Sequence, residues 1–84
     1  MTNNDYASGV RKANKAIASL DRLLPKKSAL KLYRGRVGKS FFKMLKARDR
    51  NDAAKMEFYK GMWAAYSYYI AEGRRLDERQ DILS

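Results

Sequence analysis

Along the first 24 residues the apolar side chains recur as Tyr6, Val10, Ala13, Ile17, Leu20 and Leu24, in alternating steps of four and three. That spacing lays them on one face of an α-helix, with Arg11, Lys15 and Arg22 on the other. Asn3 or Asn4 offers an N-cap. Pro25 ends the run, because the residue before a proline is pushed out of helical geometry. The pattern predicts a helix over residues 4–24.

A second face follows in Leu30, Tyr33, Val37, Phe41, Met44 and Leu45, with Ser28 as its N-cap, which predicts a helix over 28–49. Gly35 and Gly38 interrupt it, each costing about 1 kcal/mol relative to alanine. Two readings stand: a break near Arg34 to Gly38, or a continuous helix whose glycines admit another backbone or a phosphate. The continuous helix is the working expectation. A third face, Met56, Tyr59, Met62, Trp63, Tyr66, Tyr69 and Ile70, predicts a helix over 52–72. Asn51 or Asp52 caps its start, and Gly73 ends it in a left-handed conformation. Phe58 and Ala65 widen this stripe to about half the circumference, against roughly a third for an ordinary surface helix. Such a helix is either the centre of the fold or carries a second apolar surface for a partner. Tyr59, Trp63, Tyr66 and Tyr69 read as core, and residues 74–84 as a charged tail or short helix. The expected fold is all-α: a small three-helix bundle forming one domain over 1–84, its helices antiparallel.

Composition supports helix over strand. Hydrophobic residues make up 45% and charged residues 33%, with one proline, and the β-branched types are scarce. Neither cysteine nor histidine is present, which removes disulfides, thiolate nucleophiles, imidazole catalysis and the usual zinc ligands. Gly38-Lys39-Ser40 resembles the end of a phosphate-binding loop. However, Tyr33 occupies the position where that motif needs its first glycine, and no strand precedes it. Asp77 and Asp81 sit among arginines, with no apolar pocket to raise a carboxyl pKa. No enzyme, cofactor or metal site is expected. The first 25 residues lack an apolar signal-peptide core, and the apolar run Met62 to Ala71 is too short to span a bilayer. A cytoplasmic protein is the expectation.

Charge is what distinguishes the chain. The net charge is +10, and residues 26–50 hold ten cations against the single acid Asp49. Arg36, Lys39, Lys43, Lys46 and Arg50 follow helical steps, on the side opposite Val37, Phe41 and Leu45. Like charges at this spacing disfavour an isolated helix by a few tenths of a kcal/mol per pair. A row of phosphates reverses that sign and releases condensed counterions. Lysine-rich solvent faces are also common solubility devices, but those intersperse both signs.

The expected function is a basic helical module that binds DNA or RNA mainly through phosphates. Lys27, Lys31, Arg36, Lys39, Lys43, Lys46 and Arg50 hold the backbone, and Arg34 or Phe42 reaches bases. Core packing of Phe42 against a neighbouring helix is the competing reading. The alternative function is a small adaptor or inhibitor that sets the basic face against an acidic protein surface or a protein–nucleic-acid machine. A homodimer through the third helix is a further expectation, with Arg11, Lys15 and Arg22 adding to the basic face if the bundle turns both the same way. Association of a basic amphipathic helix with a membrane surface is the weakest reading, since the bundle uses the apolar face.

Overall fold

The computed structural model describes residues 4–76. Three helices run in order: α1 (Asn4–Leu23), α2 (Lys26–Asp49) and α3 (Ala53–Glu72). The expected tail or helix over 74–84 lies outside the described residues from 77 onward. Among the described residues the architecture is all-α, a small three-helix bundle.

The helix ends follow local chemistry. Pro25 itself is the N-cap of α2, with φ −57° and ψ 151°, so the helix begins at Lys26 and Ser28 lies inside it. Proline tolerates this place because its missing N–H would have found no intrahelical partner. The expected Ser28 cap is thereby corrected. Asp52 caps α3 by accepting the Lys55 backbone N–H at 3.1 Å. Asn51 takes the left-handed φ of 57° that lets the chain reverse, a conformation asparagine enters more easily than most residues. Gly73 closes α3 at φ 76°, its N–H donating to the Tyr69 carbonyl.

The core forms around α3. This helix packs closely against both α1 and α2, whereas α1 and α2 barely meet. The wide apolar face of α3 thus serves two packing surfaces within the fold. Buried on α1 are Tyr6, Val10, Ala13 and Ile17, four of the six residues that the periodicity places there; Leu20 and Leu24 pack at its edge. Of the four aromatics read as core on α3, Tyr66 is fully buried and Tyr59, Trp63 and Tyr69 are half-buried.

Two glycines set the α1–α3 distance. A Cβ on Gly9 would stand 2.0 Å from the Phe58 carbonyl oxygen, and one on Gly61 would stand 2.1 Å from the Tyr6 carbonyl oxygen. The obstruction is backbone on both sides, so the two helices touch main chain to main chain at this crossing. Gly35 and Gly38 behave differently. They lie in unbroken helix, and a Cβ at either position would meet nothing within 4 Å.

On α2 the buried residues are Ala29, Tyr33, Ser40 and Ala47. They line up on a face turned by roughly 80° from the one the large apolar residues mark. The expected core face holds at Tyr33, which is buried, and at Leu30 and Val37, which pack against the core, and is corrected at Phe41. Small side chains at Ala29, Ser40 and Ala47 allow α2 to approach α3, while Phe41 is 43% exposed and meets only the edge of the core, 6.1 Å from the Trp63 ring.

Asp21 ties the three helices together. Its carboxylate accepts the Tyr33 hydroxyl at 2.7 Å and also the Tyr69 hydroxyl, while Tyr33 donates as well to the Ile17 carbonyl at 3.1 Å. The Tyr33 ring stacks on Tyr66 at 5.9 Å and meets Tyr69 edge-on at 5.6 Å. Burial first, then the Asp21 hydrogen bond, raises the Tyr33 pKa; for Tyr69 the Asp21 hydrogen bond leads and burial follows. Beyond α3 the chain returns to α1, where the Asn14 amide donates to the Leu76 carbonyl at 2.8 Å.

Candidate polyanion groove

Because α1 and α2 stand apart on either side of α3, a trench opens between them with α3 as its floor. Its middle section, about 280 Å³, is lined by Lys12 of α1, by Arg36, Lys39, Ser40 and Lys43 of α2, and by Phe58, Tyr59 and Met62 of α3. A second section of about 230 Å³ continues it, with Lys43, Lys46, Ala47, Arg50, Asp52, Lys55 and Tyr59. Lys43 and Tyr59 belong to both. Toward the start of α2 a shallower section shares Arg36 and Lys39 and adds Leu24, Ser28, Lys31, Leu32 and Gly35. Lys12, Lys31, Arg36, Lys39, Lys43, Lys46, Arg50 and Lys55 thus line three adjoining sections that share residues. Asp52 is the sole acid among their lining residues, and its carboxylate caps α3.

The row Arg36, Lys39, Lys43, Lys46 and Arg50 is brought together as its spacing suggests, but on a different flank. It lies beside the buried face of α2, roughly 75° round the helix, rather than opposite it. The row therefore forms a wall of the trench instead of an outward ridge. Its basic length, from Arg36 to Arg50, is about 21 Å at 1.5 Å per residue.

Aromatic rings hold several of these cations. The Lys12 ammonium sits 5.8 Å from the Phe58 ring centre, Lys43 5.5 Å from Tyr59, and Lys46 5.3 Å from Phe42. The Arg36 guanidinium lies 6.0 Å from the Tyr66 ring and donates to the Tyr66 hydroxyl at 3.0 Å. Each contact is worth about 0.5–1 kcal/mol at exposed sites. Together they restrict side chains that would otherwise lose more rotamer freedom on meeting a ligand.

Phe42 does not pack into the core. It is 60% exposed and lies outside the residues that line the trench, with Lys46 over its ring. Other expected site residues fall elsewhere. Lys27 and Arg34 are exposed on the far side of α2, and Lys31 lines only the shallow end. From α1 the contribution comes from Lys12, which the sequence pattern does not single out. Arg11 and Lys15 line a separate shallow depression with Arg75, one that Lys12 also borders, and Arg22 is exposed. Lys55 is the other residue the reading of the charged stretch misses, because it lies on α3 beyond the last basic residue of α2. An Asp in the cap followed three residues later by Lys is the signal that could have placed it beside the end of α2. No helix of the described residues is long and apolar enough to cross a membrane.

No protein-family model, curated protein or solved structure matches the chain.

Proposed function

We propose that the protein binds nucleic acid by seating phosphates along this trench, with little readout of base sequence. The carrying observation is the convergence of eight cations from all three helices on adjoining depressions in which Asp52 is the sole lining acid. Like charges at helical spacing repel one another, and this arrangement concentrates them where no core contact requires it. Phosphates along the wall convert that repulsion into attraction and release counterions. A solubility device needs no trench and no convergence between helices.

The test pairs two double variants of equal charge change. Lys39→Glu/Lys43→Glu alters the wall, and Lys27→Glu/Arg34→Glu alters the far side of α2. Affinity for labelled oligonucleotides is read by fluorescence anisotropy. The first variant is expected to lose binding and the second to retain most of it. Between 50 and 200 mM salt the wild type is expected to lose roughly two to three orders of magnitude in affinity. Equal losses for the two variants would show that bulk charge, not the trench, attracts the ligand. Salt-independent binding would refute the phosphate reading altogether.

A further inference from the structure

The geometry points to a single strand, rather than a duplex, as the nucleic acid this trench accepts. The inference rests on the phosphate-binding reading above and adds the form of the ligand to it.

Two cation–aromatic pairs line the trench, Lys12 with Phe58 and Lys43 with Tyr59, and a third joins Lys46 of the wall to Phe42 beside it. Each pair presents a positive charge beside a ring face. A single-stranded nucleotide offers the complement of both, a phosphate and an unstacked base whose π-face stacks on aromatic rings without regard to sequence. A duplex offers its phosphates but keeps its base faces inside the stack. It satisfies the ammonium groups and leaves the rings unused.

Size argues the same way. The trench is cut into a molecule measuring 38 × 27 × 18 Å along its principal axes, and its middle section holds about 280 Å³. That is near the lower end of small-molecule pockets, about 300–1,000 Å³, so bases can enter it one or two at a time and a double helix cannot. A duplex could instead receive α2 in its major groove, which is about 12 Å wide. The outward side of α2, however, carries Gly38, Phe41, Phe42 and Leu45 at its centre. Lys27 and Arg34 lie on the same side toward the start of the helix, but these four central positions hold none of the arginines, lysines and amides that read base edges. The row of cations that would grip the phosphates faces the trench instead.

The basic wall, about 21 Å long, matches roughly six nucleotides if the strand stays stacked at about 3.4 Å per phosphate, and fewer if bases splay toward the floor. Phe42 stands outside the lining residues, under the ammonium of Lys46, which lines the trench. At 60% exposure it contributes little to the core and can be changed without threatening the fold.

The experiment compares a labelled 12-nucleotide single strand with a hairpin duplex of the same sequence, using the whole chain at fixed salt. Expected are tighter binding of the single strand by tenfold or more and a log–log salt slope near −4, as about six contacts give on single strands. Phe42→Ala should weaken single-strand binding by roughly 5- to 150-fold, the range for one stacked base, and Phe42→Tyr should restore it. Circular dichroism of both variants checks that the helices are intact. Equal or tighter binding of the duplex, or an unaltered affinity in Phe42→Ala, would overturn the single-strand inference and leave phosphate binding standing. Binding of neither probe would overturn both.

Discussion

Alanine at four glycines should move stability in two opposite directions. At Gly9 the new Cβ would stand 2.0 Å from the Phe58 carbonyl oxygen and 3.0 Å from the Met62 nitrogen. A carbon–oxygen contact needs more than 1 Å beyond that, and a helix backbone cannot give way as a flexible side chain does. α1 and α3 must therefore separate, loosening the packing of Tyr6, Val10 and Met62 around the crossing. Overpacking of a core costs about 1–3 kcal/mol and occasionally more; a backbone obstruction belongs at or above the top of that range. The gain in helix propensity, about 0.8–1 kcal/mol, offsets only part. A net loss of about 2–3 kcal/mol is expected for Gly9→Ala, and the same for Gly61→Ala, whose Cβ would meet the Tyr6 carbonyl oxygen at 2.1 Å. At Gly35 and Gly38 nothing lies within 4 Å, so only the propensity gain remains and each alanine should stabilise by about 0.8–1 kcal/mol. With an unfolding entropy of about 2.1 cal/mol/K per residue, these changes correspond to Tm shifts of roughly −11 to −17 °C and +4 to +6 °C. Urea melts followed by circular dichroism give the free energies, and a thermal melt gives the shift. If Gly9→Ala stabilises the protein as Gly35→Ala does, the main-chain contact between α1 and α3 is wrong.

Three further outcomes test other parts of the fold. The folded pKa of Tyr33 lies above its unfolded value of about 10, so its neutral form is favoured in the folded state. Its contribution is full below pH 10 and is lost as pH rises through the folded value, with a slope of at most about 1.4 kcal/mol per pH unit. Urea melts from pH 9 to pH 12 should therefore show a steeper alkaline decline in the wild type than in Tyr33→Phe; equal declines would remove Tyr33 as the cause. Asp52→Ala removes the cap on the Lys55 N–H and should cost about 1 kcal/mol, read from the urea midpoint, whereas an unchanged midpoint would mean that the cap is idle. Ser40→Leu should destabilise by about 1–3 kcal/mol because Ser40 is 3% exposed between α2 and α3. Phe41→Ser should cost less. The reverse order would restore the face of α2 suggested by its large apolar residues.

The helices themselves were legible in the sequence. Alternating steps of three and four, Pro25, Asp52 and Gly73 act within a few residues of the chain, so local rules place the helices to within about two residues at each end. The face of α1 was legible for the same reason: its large apolar residues and its buried residues coincide. On α2 they do not. Phe41 and Leu45 advertise a face, yet Ala29, Ser40 and Ala47 are the residues small enough to let α3 approach, and backbone proximity outweighs side-chain size. Sequence periodicity counts apolar residues and is blind to that competition.

The candidate site divides in the same way. The charge excess of residues 26–50 and the row Arg36, Lys39, Lys43, Lys46 and Arg50 belong to the sequence, since spacing along one helix fixes which side chains share a flank. That the flank forms one wall of a trench, with Lys12 and Lys55 joining it and Lys27 and Arg34 turned away, belongs to the tertiary structure. Nothing in the local pattern of Gly9 or Gly61 distinguishes them from Gly35 and Gly38, for all four sit at helical positions. Only the crossing of α1 over α3 decides which pair must be glycine, because the obstructing atoms lie more than 45 residues away in the chain.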